Sequence, residues 1–331
     1  MVSKNDILES QLFKITSSEE FISLALRIFH KQYSSIQVYR EYCDMLRVDV
    51  SGVKDISSIP FLPIQFFKTH HILSDDRSFD IVFSSSGTTG SITSKHYVKN
   101  IEVYQNSLLR SFENFIGDPN EVTILALLPS YLEREDSSLV YMVDYLIRKG
   151  QSSHSGFYLN NSEELIDKLL YLEEHNKHTL LIGVTYALLD LIEKKTFQLN
   201  NTKVLETGGM KGKRKEMIKK ELHQKLKKGF GVSTIYSEYG MTELLSQAYS
   251  KGDGLFYCPP WMKVTTRDTE DPLTKIEGKT GGLNIIDLAN VNSCSFIATQ
   301  DLGKVFKDGS FEILGRFDES DIRGCNLMYD Q

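Results

Sequence analysis

Between Val122 and Gly240, four short strand-like runs (VTILALL, TLLIGV, KVLETGG and VSTIYSEYG), the first two almost wholly apolar, alternate with segments of helical periodicity. A run that is apolar at every position suits a strand covered on both faces. Parallel strands need long crossover connections, which are usually helices. The intervening segments fit that need. SSLVYMVDYLIRKG closes at Gly150, EELIDKLLYLEEH is amphipathic, and a further helix runs to Lys195. MIKKELHQKLKK is expected to place Ile218, Leu222 and Leu226 on one face. The expected class is therefore α/β, with mainly parallel sheets flanked by helices.

Upstream, Glu19 to Val48 is expected to be helical. Phe21, Leu24, Ile28, Tyr33 and Tyr39 form its apolar stripe, and Ser17 or Ser18 caps its start. The segment SSIPFLPIQFFKTHHIL follows, kept extended by Pro60 and Pro63. A strand, FDIVFSS, then enters the loop SSGTTGSITSK, and a helix is expected from about Ile101 to Phe115. After Leu244 the pattern becomes short β segments, with Asp308-Gly309 as a hairpin turn. We expect residues 1–243 to be the α/β region with a nucleotide-binding loop. Residues 244–331 are expected to be a β-rich subdomain and tail that complete the same domain.

The composition narrows the function. A net charge of −6 does not suit a general nucleic-acid binder, which needs a broad basic surface. Cys43, Cys258, Cys294 and Cys325 form no CxxC pair, and few dispersed thiols suit a reducing cytoplasm. No apolar run is long enough for a membrane span, and MVSKNDILESQLF has no signal-peptide core.

Three stretches offer chemistry. Ser84 to Ser91 (SSSGTTGS) is a small-residue loop between a strand and a helix, where backbone N–H groups and hydroxyls surround phosphate oxygens. Lys95 follows it. Tyr236 to Glu243 (YSEYGMTE) presents a hydroxyl, Thr242, and a carboxylate, Glu243, after a glycine turn. Such a pair suits Mg²⁺ and phosphate, although Thr242-Glu243 also reads as a helix start. Thr299 to Gly303 (TQDLG), followed by Gly315-Arg316-Phe317-Asp318, supplies an Asp for ribose hydroxyls and an Arg for the sugar or a phosphate.

The order SSSGTTG, YGMTE, TQDLG, GRFD resembles the adenylate-forming superfamily. With IPFLPIQFFKTH and the ending ILGRFDESDIRGCNLMY, the chain looks like acyl-protein synthetases of the LuxE type, relatives of phenylacetate-CoA ligases. The resemblance covers roughly Ser57 to Tyr329. It implies the large N-terminal domain of that superfamily, without the small mobile C-terminal domain and its lysine that usual members carry. It implies activation of a fatty or aryl acid by ATP with Mg²⁺, giving acyl-AMP, then transfer to a thiol.

Carried over by position, Ser85, Ser86, Gly87, Thr88, Thr89 and Gly90 would hold ATP phosphates, with Lys95 placed later than in the usual pattern. Gly208 and Gly209 would turn against the adenine, and Tyr239 and Gly240 would flank it and the acyl pocket. Thr242 would contact phosphate, Glu243 would bind Mg²⁺, and Asp301 and Arg316 would hold the ribose. Cys325, beside Arg323, would accept the acyl group, whereas Cys43, Cys258 and Cys294 look structural.

The partners that follow are a carboxylic acid and an acyl-accepting protein, a carrier protein or coenzyme A. Rival readings are a ligase acting on coenzyme A or a small acceptor, and a nucleotide-binding subunit without turnover. The basic run Lys211, Lys213, Arg214, Lys215, Lys219, Lys220, Lys225, Lys227 and Lys228 is a solvated helix face or a docking site for an acidic partner. His70 and His71 suit packing or solvation better than catalysis.

Overall fold

A computed structural model describes residues 4–74, 78–86, 92–129, 134–209 and 217–316. In chain order its elements begin with α1 (Lys4–Leu12), α2 (Ser18–Ser35), α3 (Gln37–Met45), β1 (Leu62–Pro63) and α4 (Phe66–Thr69). Next come β2 (Ile81–Ser84), β3 (Lys95–Val98), α5 (Ile101–Phe115), β4 (Thr123–Leu127), α6 (Ser138–Lys149) and β5 (Gly156–Phe157). Then follow α7 (Ser162–Glu174), β6 (Thr179–Val184), α8 (Thr185–Lys194), β7 (Thr202–Thr207), α9 (Lys219–Phe230) and β8 (Ile235–Tyr239). The chain continues through β9 (Ala248–Ser250), β10 (Phe256–Tyr257), β11 (Met262–Arg267) and β12 (Lys275–Ile276) to β13 (Thr280–Asp287), β14 (Phe296–Val305) and β15 (Phe311–Arg316).

Contacts divide these elements into two compact units. One holds the residues up to Ser107, Thr242–Ser246 and the residues from Tyr257 onward; the other holds Leu108–Met241 and Gln247–Phe256.

The second unit is the parallel sheet that the alternating pattern predicts. β5, β4, β6, β7 and β8 lie side by side and parallel, and β9 adds antiparallel to β8. Every residue of β4 and β6 is buried, which is why both runs are apolar after their first threonine. Leu222 and Leu226 of α9 face the core as expected. Ile218 does not: the helix begins at Lys219, and Ile218 precedes it at 71% exposure.

In the first unit β12, β11, β13, β14 and β15 form an antiparallel sheet, and β1 pairs parallel with β14. The Asp308-Gly309 turn joins β14 to β15. Asp308 accepts from the Ser310 N–H at 3.0 Å, and Gly309 takes φ 84°. This is the β-rich C-terminal region expected from the short segments.

The N-terminal helix is broken where one was expected. Ser17 caps α2 by accepting from the Glu20 N–H at 3.2 Å, and Glu20 returns the contact to the Thr16 N–H at 2.7 Å. The helix stops at Ser35. Ser34 and Ser35 both donate to the Lys31 carbonyl at 2.8 Å, which competes with the helical ladder and bends it. Ile36 then adopts an extended conformation and is fully buried, so α3 starts on a new axis.

The proline segment lies in the interior of this unit. Tyr39 donates to the Pro60 carbonyl at 2.7 Å and Tyr42 to the Phe61 carbonyl at 3.1 Å. Among the described residues no helix is long and apolar enough to cross a membrane.

Candidate active site

In the first unit, β2 and β3 pair antiparallel, so the small-residue loop springs from the end of a two-stranded ribbon. Ser85 closes its base. Its N–H donates to the Ser94 carbonyl at 3.0 Å, and its Oγ accepts from the Ser94 N–H at 2.9 Å. Ser86 is exposed beyond it. Gly87, Thr88, Thr89 and Gly90 lie outside the described residues, as do Asp318, Arg323 and Cys325 and the basic residues 211–215.

Successive side chains of a strand point to opposite faces. Ser94, His96 and Val98 are buried, while Lys95 between them is exposed. The face of β3 that meets the Thr242–Glu243 segment is therefore the face of Ser94 and His96. Lys95 lies on the other one.

Glu243 is 6% exposed. Burial raises its carboxyl above the ordinary range. A hydrogen bond from Ser94 and the charge of Arg316 pull it back, and the charge of Asp301 pushes with burial. Asp301 and Arg316 are register partners on β14 and β15 and form an ion pair at 3.4 Å, with Arg316 largely exposed. Asp301 and Arg316, from two of the ordered motifs, thus act on the buried carboxylate of a third, Glu243.

The segment Thr242–Ser246 is held from all sides by buried polar groups. His96 Nδ1 meets the Thr242 carbonyl at 2.9 Å, and Asn290 donates to the Glu243 carbonyl at 2.8 Å. Asp287 accepts from the Leu245 and Ser246 N–H groups, each at 2.9 Å, from the Ser246 hydroxyl at 2.6 Å and from the Ala289 N–H at 3.0 Å. Burial lifts Asp287 to about 6, against the pull of those four donors.

Arg267 braces the Asp301 end of β14. It donates to the Leu283 carbonyl and Asn284 Oδ1, each at 2.8 Å, and to the Thr299 carbonyl. Thr299 Oγ1 in turn accepts from the Asp301 N–H at 3.1 Å. None of His96, Asp287, Asn290 and Arg267 was expected from motifs. The alternation Ser94-Lys95-His96 was a signal for His96; the others have none in a single sequence.

In the second unit, Gly208 and Gly209 leave the end of β7 at φ 71° and 62°. Two consecutive left-handed residues suit glycine, which adopts positive φ without the steric cost a Cβ brings. Tyr239 ends the neighbouring β8, where its ring meets Phe256 at 5.9 Å. A Cβ on Gly240 would sit 2.4 Å from Glu238 Oε1, so a larger residue there requires the Glu238 carboxylate to shift.

Beneath these strand ends lies a buried ionic cluster. Glu206 accepts from Lys219, from Ser237 at 2.5 Å and from Thr185 at 2.9 Å, with His223 Nε2 at 3.5 Å. Burial alone would raise the Glu206 carboxyl. The Lys219 ammonium and the hydrogen bonds of His223, Lys219 and Ser237 hold it well below its ordinary value. Lys219, read from sequence as part of a basic face, turns inward instead.

Glu206→Gln is expected to lower stability by about 3 kcal/mol, because it leaves the Lys219 charge uncompensated. That corresponds to a fall in Tm of roughly 6 °C or more. The depressed carboxyl stabilises the fold above the ordinary value of 4.5, and that contribution is lost as pH falls through the depressed value. Thermal melts should therefore show the gap between the two proteins narrowing as pH falls below 4.5.

The family model described as acyl-protein synthetase, LuxE, matches residues 4–331. A long-chain-fatty-acid–luciferin-component ligase of Photorhabdus luminescens is 37% identical over 68 residues, 20% of this chain and 58% of that protein. Among solved structures, 2-hydroxyisobutyryl-CoA ligase in complex with 2-HIB-AMP and CoA aligns with TM-score 0.69 at 14% identity, over 94% of this chain and 71% of the other. ATP-bound MatB of Rhodopseudomonas palustris aligns with TM-score 0.53 at 19% identity, over 71% and 47%. At such identities the two structures speak to the fold. The matches to the luciferin-component ligase and to MatB span 58% and 47% of those proteins.

Proposed function

We propose, on the premise that this chain belongs to the acyl-protein synthetase (LuxE) family, that it activates a carboxylic acid with ATP and passes the acyl group to a thiol. The observation that carries this reading is the meeting of Ser94, Glu243, Asp301 and Arg316 in one unit, although the sequence separates them by up to 222 residues (316 − 94).

In the first step a carboxylate oxygen attacks the α-phosphorus of ATP. A P–O bond forms, the bond to the β-phosphate oxygen breaks, and pyrophosphate leaves. Asp301 would accept from the ribose hydroxyls, with Arg316 beside it. Ser85, Ser86 and the loop they open would surround the phosphates, Lys95 would enter only from beyond its strand face, and Thr242 would meet the α-phosphate. Gly208, Gly209, Tyr239 and Gly240 are the residues that the resemblance gives to the adenine and acyl sites.

Glu243 is the residue that would hold Mg²⁺. Its donor chemistry fits: a buried carboxylate whose charged form is disfavoured by burial gains from a cation, and Mg²⁺ commonly takes one or two carboxylates plus phosphate oxygens. Bound there, Mg²⁺ would neutralise charge on the phosphates. In the second step a thiolate attacks the acyl carbonyl, the C–O bond to AMP breaks, and AMP leaves. We assign this thiolate to Cys325. The acceptor after it would be a partner protein, a carrier protein or coenzyme A, and the setting the cytoplasm, where its thiols stay reduced.

ATP–pyrophosphate exchange over a panel of short, long-chain and aryl acids tests the first step. Exchange dependent on one class of acid is expected. No exchange with any acid, together with no ATP binding by calorimetry, would overturn the proposal.

A further inference from the structure

His96 lies on β3, immediately after the loop of the first motif, and reaches the second motif. Its ring is 1% exposed and stands edge-on to Phe67 at 5.6 Å. Both ring nitrogens are used. Nδ1 lies 2.9 Å from the Thr242 carbonyl, which can only accept, so Nδ1 carries the proton. Nε2 is then an acceptor and takes the Ser293 hydroxyl at 2.8 Å. Ser293 thus fixes the tautomer that His96 needs in order to donate to Thr242. Burial holds the ring neutral, with its pKa down at about 4.

The contact is to the backbone of the residue that precedes Glu243. Immediately before β3, Ser94 is buried like His96 and hydrogen-bonds the Glu243 side chain. The short stretch Ser94–His96 therefore touches both halves of the Thr242–Glu243 pair: the main chain through His96 and the carboxylate through Ser94. A hydroxyl and a carboxylate that must meet phosphate and metal lose effectiveness when their backbone drifts, since catalytic groups need placement to within about 0.5 Å. A buried imidazole between Ser293 and Thr242 is a rigid spacer of that kind.

We propose that His96 is a positioning residue for the adenylation site, setting the Thr242–Glu243 backbone through its Nδ1–H. The inference rests on the adenylating function proposed above. His96 does not touch substrate and moves no proton.

The test is a set of three variants assayed by acid-dependent ATP–pyrophosphate exchange, each at a temperature well below its own Tm. His96→Asn keeps an N–H at the Nδ1 position and loses the Ser293 contact. His96→Gln does the reverse, placing its amide nearer the Nε2 position. His96→Ala loses both. Exchange kcat/KM for MgATP is expected within about threefold of wild type for the Asn variant, and about tenfold or more lower for Gln and Ala, from the lost backbone donor.

If Asn and Gln fall equally, or if Ala exchanges like wild type while only its Tm drops, His96 is a packing residue and the inference is overturned. Should the Ala variant fail to fold, the Asn and Gln comparison still decides. Absence of exchange in wild type itself would sink the functional reading instead, so the two failures are distinguishable.

Discussion

Glu243→Gln is expected to lower acid-dependent ATP–pyrophosphate exchange by about 10²–10³-fold, the usual effect of deleting one group that stabilises developing charge. The fold should not suffer. Glu243 is buried and its carboxyl is raised, so burial already favours the neutral form that glutamine imitates. The expected Tm is unchanged or slightly higher, while the Mg²⁺ concentration needed for half-maximal exchange rises.

The same shift sets a pH dependence. A carboxylate that must be ionised to hold a cation loses that ability as pH falls through its pKa, and here the pKa lies above the ordinary 4.5. In wild type the acid limb of kcat/KM should fall above that value, and in the variant it should vanish. A variant that keeps wild-type exchange and the same acid limb would remove Glu243 from the site. Alanine would be a poorer choice, because it opens a cavity and confuses loss of charge with loss of packing.

The parallel sheet of the second unit was legible because its strands are buried on both faces. Burial of that kind writes itself into consecutive residues, as in TILAL and TLLIGV. The Asp308-Gly309 turn was legible for a local reason too: the glycine takes a left-handed φ and the aspartate bonds its own turn. The break at Ile36 was less so. An apolar stripe continues through it, and only the two serines bonded back to Lys31 mark the change of axis.

The site divides in the same way. Motif order pointed to Glu243, Asp301 and Arg316, which share one unit. The groups that hold them are buried polar side chains whose partners lie far off in sequence: Asp287 for the N–H groups of Leu245 and Ser246, Asn290 for the Glu243 carbonyl, Arg267 for the Thr299 carbonyl. A lone Asp or Asn in a sequence reads as surface, because nothing local shows the donor or acceptor that makes its burial affordable. Lys219 was misread for that reason, being one lysine among many until Glu206 is placed beside it.

Cys325→Ser should separate the two half-reactions completely. Adenylation needs no covalent protein group, so pyrophosphate exchange in this variant is expected within about twofold of wild type. Incubation with ATP and the acid should load wild type with one hydroxylamine-sensitive acyl group, detectable by intact-mass spectrometry, and leave the variant unloaded. Serine keeps the size of the side chain but offers a far weaker nucleophile, whereas the thiolate is intrinsically reactive toward acyl groups.

The described thiols are poor rivals for this role. Cys43 and Cys294 are fully buried, and burial pushes the Cys43 thiol up to about 12 and raises Cys258 and Cys294 as well. Cys294 also points its thiol at the Phe296 carbonyl, 3.3 Å away. All three are held as thiols, and a thiol is not the attacking species. If the variant still becomes acylated, peptide mapping of the loaded protein will show which residue carries the group. If instead neither protein is loaded while both exchange pyrophosphate, the acyl group leaves the enzyme directly, and coenzyme A or a carrier thiol added to the assay should then take it from the adenylate at equal rates in both.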